Sequence, residues 1–329
     1  MRRPTAGVLD HKNPYLFIVG CPRSGTTLLR RLVDTHPLVA VIDEMRWIAR
    51  FFERREGLTP EGLVTPELVD RVLAYDRFAT LEISREQLAR LIDTPDPVPY
   101  PNFVTAIFDL YGQAQRKSLV GDKTPRYARR IFTLHALWPE ARFVHIIRDG
   151  RDVCMSILNW KKAERALGRF STWGEDQVST AALWWEWHVR LGREDGGSLA
   201  PHLYHEVRYE ELVSRPANEC EKLCSFLDLP YDEGMLKFHE GREKMKPGRN
   251  AKRAWLPTTS GLRDWRTQMP PEDLERFEAA AADLLEELGY PRACPPPPEE
   301  KLARAVQIRQ SFIREATASG KRLPKGWQA

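Results

Sequence analysis

Residues 15–27, Tyr-Leu-Phe-Ile-Val-Gly-Cys-Pro-Arg-Ser-Gly-Thr-Thr, pass from a continuous apolar run through a glycine-bounded loop into helix formers. A short apolar run bounded in this way reads as a buried strand, and a strand feeding such a loop aims backbone N–H groups and a helix N-terminus at one point. That arrangement makes an anion site. Gly20 and Gly25 have the spacing of a P-loop and Thr27 keeps the hydroxyl, but Thr26 stands where the phosphate-gripping lysine belongs. The positive charge sits instead on Arg23, inside the loop. The segment reads as a phosphate cradle built for something other than ATP hydrolysis. The loop by itself leaves a plain strand-turn-helix open.

Alternation of strand and helix continues along the chain. Thr26–Thr35 reads as a helix with Leu28, Leu29, Leu32 and Val33 on one face, ended by His36-Pro37. Val39–Ile42, Leu119-Val120, Arg142–Ile147 and Leu203–Val207 read as further strands, and Ala128–Trp138, Gly150–Trp160 and Glu175–Gly192 as helices between them. The expected fold is α/β, a parallel sheet flanked by helices, with a P-loop-like nucleotide site. Residues 47–118 have helical periodicity and are expected to form a helical insertion over the sheet. Lys161–Trp173 reads as a polar, basic loop. Residues 1–294 are then one α/β domain, and 295–329 a Pro-rich spacer with a basic helix at Glu299–Ser319.

Ligands bind at the C-terminal edge of a parallel sheet. The Arg23 loop, Asp43-Glu44, Asp122-Lys123 and Arg148-Asp149 all follow predicted strands, so four polar clusters converge on one edge. Arg148 leaves its strand and Ser156 lies in the next helix; a guanidinium and a hydroxyl together suit a phosphate with several oxygens. Trp184, Trp185 and Trp187 read as core. Cys220 and Cys224, one helical turn apart without further ligands nearby, also read as core, and no metal is expected.

Pro22-Arg23-Ser24-Gly25-Thr26-Thr27-Leu28-Leu29 resembles the 5′-phosphosulfate loop of sulfotransferases that use 3′-phosphoadenosine 5′-phosphosulfate (PAPS). Its arginine form is most similar to the branch of tyrosylprotein sulfotransferases and many bacterial relatives. Arg148 and Ser156 hold the spacing of that family's 3′-phosphate site. Asp43-Glu44-Met45-Arg46 is similar to the Glu-Glu-Thr-Arg stretch of tyrosylprotein sulfotransferases, which places Glu44 on the proposed catalytic base. Asp122-Lys123-Thr124-Pro125 resembles the family's lysine segment, with Lys123 expected to stabilise the bridging oxygen opposite Arg23. Tyr209-Glu210-Glu211-Leu212 is similar to the segment whose tyrosine lies near the adenine. Ser260, near a loosely matching nucleotide-closing loop, is a further candidate contact. Trp160 departs from the pattern where the family carries another arginine, and Arg151 or Lys161 is expected to compensate.

The resemblance implies PAPS as cosubstrate and a small-molecule, glycan or peptide hydroxyl as acceptor. A P-loop kinase and a non-catalytic nucleotide-binding protein are the alternatives. The net charge of +4 comes from interleaved basic and acidic residues, which argues against a nucleic-acid partner. Five cysteines without framework spacing, and no apolar stretch of membrane-spanning length, give a cytoplasmic expectation.

Overall fold

The computed structural model describes residues 13–240 and 264–327. The apolar run is β1 (Leu16–Gly20), and α1 (Thr26–Thr35) follows its loop. After β2 (Val39–Asp43) come α2 (Trp47–Arg54), α3 (Pro66–Leu73), α4 (Arg85–Arg90) and α5 (Tyr100–Gln115), which lead to β3 (Leu119–Lys123). A 3₁₀ turn at Pro125–Arg129 and α6 (Ile131–Leu137) precede β4 (Arg142–Ile147). Then come α7 (Gly150–Leu158), α8 (Ala163–Leu167), α9 (Ser171–Glu175), α10 (Gln177–Gly196) and β5 (Tyr204–Arg208). Among the described residues that follow, the chain forms α11 (Tyr209–Ser214), α12 (Pro216–Phe226), α13 (Trp265–Gln268), α14 (Pro271–Glu287) and α15 (Glu299–Ala318).

The five strands form one parallel sheet in the order β2-β3-β1-β4-β5. Successive residues of a strand point to opposite faces, and here both faces are covered. Leu16, Ile18, Val39, Val41, Val144 and Ile146 pack beneath α1 and α12, through Leu29, Leu32, Leu223 and Cys224. Phe17, Val19, Ala40, Ile42 and Phe143 face the opposite way, onto apolar residues of α2 to α6. This two-sided burial explains why the strands read as unbroken apolar runs. The chain leaves β1 towards β2 and leaves β4 towards β5. The crevice between the ends of β1 and β4 is therefore the switch point where open α/β sheets bind ligands.

Two expectations are corrected. Lys161–Trp173 is not a polar loop: it folds into α8 and the start of α9, and Ala163, Ala166, Leu167, Phe170 and Trp173 enter the core beside α10. Lys161, Lys162, Arg165 and Arg169 are the exposed sides of those short turns. The helix expected from Ala128 is divided, because Pro125 starts a 3₁₀ turn that ends at Arg129 before α6 begins. The helix beyond the proline run, α15, packs Ile308, Phe312 and Ile313 into the α10 core, with Phe312 stacked on Phe170 at 4.2 Å.

Candidate functional site

The loop from Gly20 to Gly25 wraps over the end of β1. Gly25, at φ 94°, is the N-cap of α1, and no side chain caps that helix, so its first N–H groups face the loop's interior. The Tyr209 ring lies against Gly25: a Cβ there would sit 2.3 Å from Tyr209 Cδ2. Gly25→Ala is accordingly expected to destabilise the fold by about 1–3 kcal/mol, through left-handed backbone and collision together. Chemical denaturation checks this. Arg23 itself has φ 82° and Glu44 has φ 61°. Left-handed backbone costs a side-chain-bearing residue roughly 1–2 kcal/mol, which the surroundings must offset. At Glu44 they do so with hydrogen bonds on either side: Glu44 N donates to Lys123 O at 2.9 Å, and Tyr75 OH donates to Glu44 O at 2.9 Å.

β2 and β3 pair Asp43 with Lys123, which brings the second and third clusters together. Lys123 is 1 % exposed, and its Nζ lies 2.5 Å from Asp43 Oδ1 and 3.3 Å from Glu44 Oε1. Glu44 Oε2 accepts from Arg46 Nε at 2.9 Å and lies 3.3 Å from Arg77. Arg77 also reaches Asp43 Oδ2 at 3.0 Å. Burial pushes the Glu44 carboxyl up, but Lys123, Arg46 and Arg77 outweigh it and hold the group below the ordinary glutamate range. Asp43 is lowered in the same way, burial being outweighed by Lys123, Arg30 and Arg77. Asp122 beneath them is fully buried; burial raises it to about 7, and its Oδ2 accepts from Met45 N at 2.9 Å, tying β3 to the backbone just after Glu44.

Across the crevice, Arg148 leaves β4 and lies over the Tyr209 ring at 4.2 Å. Its Nη2 donates to Asp152 Oδ2 at 3.1 Å, while Nε is buried with no hydrogen-bond partner. Arg23 Nε donates to Ser156 Oγ at 3.1 Å, joining the β1 loop to α7, and its guanidinium lies 5.8 Å from the Trp160 ring. Ser24 Oγ is a second buried polar atom without a partner. An uncapped helix N-terminus, an unpartnered guanidinium nitrogen and an unpartnered hydroxyl in one crevice fit an anionic ligand with phosphates at both ends of the crevice.

The structure therefore brings together Arg23, Ser24, Gly25, Thr26 and Thr27 with Arg148, Ser156 and Tyr209 on one side, and Glu44 with Lys123 on the other. Ser260 lies outside the described residues. Arg151 does not compensate for Trp160: its guanidinium is fully buried, bonded to Asp149 and Glu278 and stacked 3.7 Å from the Trp265 ring. Lys161 is exposed. Trp184, Trp185 and Trp187 are core residues, each 0 % exposed. No group of metal-ligating side chains occurs among the described residues. Sequence reading missed Arg77 and Tyr75, and placed Asp122 in the site cluster without a role; all three hold Glu44 or the backbone around it. Arg77 and Tyr75 carry no motif, and only the packing of 47–118 against β2 brings them there.

A parallel α/β sheet with a phosphate-type loop at the switch point and a cation-clamped carboxylate beside it is an arrangement suited to transferring an anionic group. A model of the sulfotransferase family matches residues 14–233, and the chain belongs to that family. The chain is 26% identical over 307 residues to protein-tyrosine sulfotransferase A of Caenorhabditis elegans, covering 91% of this chain and 74% of that protein. It is 27% identical over 313 residues to nodulation protein NoeE of Sinorhizobium fredii, covering 83% and 65% respectively. Its fold is similar to the sulfotransferase domain from the curacin biosynthetic pathway, with a TM-score of 0.50 and 21% identity over 94% of this chain and 98% of that one.

Proposed function

We propose that this sulfotransferase takes PAPS as donor and moves its sulfuryl group, by in-line displacement, to an acceptor hydroxyl held beside Glu44. The observation that carries the reading is the pair of anion positions bridged by the Arg23–Ser156 contact, one at the α1 N-terminus and one at the unpartnered Arg148 Nε. Backbone N–H groups of 25–27 and the Arg23 side chain hold the 5′-phosphosulfate end. Arg148 and Ser156 hold the 3′-phosphate, and Tyr209 lies where the nucleotide passes between them. Thr26, in place of a lysine, withdraws the group that a kinase uses on β- and γ-phosphates.

Glu44 accepts the acceptor's proton as the hydroxyl attacks. Lys123 and Arg23 stabilise charge growing on the departing phosphate oxygen, a role fixed cations fill best in a site that excludes water. A carboxylate held below its ordinary range is a weak base, which matches a hydroxyl that is itself acidic, as in a phenol.

Calorimetric titration with 3′-phosphoadenosine 5′-phosphate (PAP), against ADP, tests the reading. PAP is expected to bind at least tenfold more tightly than ADP, and Arg148→Ala to remove that preference. A charge-assisted hydrogen bond of roughly 1.5–3 kcal/mol corresponds to that much or more. Equal or tighter binding of ADP by the native protein overturns the reading.

A further inference from the structure

Immediately after Lys123, the 3₁₀ turn Pro125–Arg129 carries Arg126 and Arg129 three residues apart. Side chains at that spacing eclipse one another on a 3₁₀ turn, so both guanidinia project from the same side. That side faces α10. Arg126 lies 5.9 Å from the Trp184 ring and Arg129 3.9 Å from the Trp187 ring. Neither forms an ion pair with a described carboxylate, and Arg129 Nε is buried without a hydrogen-bond partner. The wall around them is also unsatisfied. Trp184 Nε1 is buried and unpartnered. His188, 0 % exposed, donates Nδ1–H to Trp184 O at 2.7 Å and keeps Nε2 unpartnered.

The charges here oppose each other rather than cancel. Burial, then Arg126 and Arg169, push Arg129 down to about 9; burial, then Arg46 and Arg169, push Arg126 down to about 10. Both stay cationic at neutral pH. His188 is driven well below its usual range by burial and by Arg129, so it stays neutral and adds no charge. Lys321 faces the same group, lowered by burial and by Arg169, Arg129, Arg130 and Arg54. Glu44, at the acceptor position, and the buried Cys21 thiol are the groups among the main influences on Arg126 that favour its charge. Aromatic faces attract a guanidinium but do not replace its hydrogen bonds. Guanidinia gathered this way, with no ion pair to a carboxylate among the described residues, want an anion.

We propose that Arg126 and Arg129, closed in by Trp184 and Trp187, form an oxyanion subsite for a carboxylate, phosphate or sulfate group on the acceptor molecule. Resting on the reading of Glu44 as the acceptor-side base, the subsite makes the acceptor a hydroxyl compound with an anionic group close to the hydroxyl. Two guanidinia on one side of the turn can share the oxygens of one anionic group. Arg169, exposed at the rim, and Lys321 draw the anion in.

The test uses the protein saturated with PAP, titrated with 4-hydroxyphenylacetate and with neutral 4-methylphenol. The anionic phenol is expected to bind at least tenfold more tightly, and Arg129→Gln to erase the difference while PAP affinity is unchanged. The ligand-free Arg129→Gln protein is expected to melt at the same temperature or higher, because an uncompensated, half-buried charge is gone; a purely structural arginine would give a lower one. Equal affinities for the two phenols, or a preference that survives both Arg126→Gln and Arg129→Gln, overturn the subsite. If PAP does not bind, the donor reading fails separately, and the free protein then decides. A melting-temperature rise with sodium phosphate over sodium chloride of equal ionic strength, lost in Arg129→Gln, upholds the subsite, and no such rise overturns it.

Discussion

Glu44→Gln is expected to lower kcat for sulfuryl transfer by roughly 10²–10⁴-fold, the range of a lost general base, with PAP affinity unchanged. Arg46 meets one oxygen of Glu44 and Lys123 the other, so the amide keeps the shape and one of the two accepting contacts, but it cannot take a proton. Unchanged nucleotide affinity separates a proton acceptor from a strut, since a distorted crevice would lose PAP as well. The pH dependence follows from the same surroundings. The folded-state pKa of Glu44 lies below its unfolded value, because Lys123, Arg46 and Arg77 together outweigh burial. Stability from this group is therefore complete above the ordinary glutamate range and is lost as pH falls through the lower folded value. Activity should show no acid limb from Glu44 until below that range. A pH–rate profile with a limb near 6 would assign the base to another group.

Lys123→Met is expected to be the most damaging single substitution, lowering kcat by about 10²–10³-fold and stability by roughly 3–5 kcal/mol. The stability loss sits towards the lower figure, because the Asp43 side chain is 43 % exposed while that of Glu44 is 10 % exposed. Removing the ammonium takes the buried cation from Glu44 and leaves Asp43 without its shortest contact. Lys123 is the largest of the lowering influences on both carboxylates. In the variant both should titrate higher, and the acid limb of the residual activity should move upward. Adding Asp43→Asn should restore part of the melting temperature, while kcat stays low. Denaturant unfolding with parallel pH–rate profiles distinguishes this from simple misfolding, which would not shift the limb.

The cradle was legible because it is local. Leu16–Gly20, Arg23 and Thr26–Thr35 lie within one strand-loop-helix, and their geometry is set by apolar runs, glycine and helix propensity over twenty residues. The clusters at Glu44, Lys123 and Arg148 were legible for a related reason: each follows an apolar strand, and parallel strands must deliver their C-terminal ends to one edge. Lys161–Trp173 was misread because five-residue helices are too short to display a period, so Ala163, Leu167 and Phe170 look scattered among lysines and arginines. Arg151 was misread because its neighbours in sequence say nothing of Glu278, which arrives from α14 to complete its buried network.

Sequence alone thus determined the sheet's direction, the edge where chemistry gathers and the residues that strand ends carry there. Tertiary structure decided the charge state and holding of those residues. Arg77 and Tyr75 come from the helical segment to clamp Glu44, Asp122 fixes the backbone after it, and α10 sets tryptophan rings against Arg126 and Arg129. The reason is range. Periodicity and loop chemistry act between neighbours in the chain, whereas desolvation and Coulomb interactions depend on which distant segments pack together, and only the folded chain sets that.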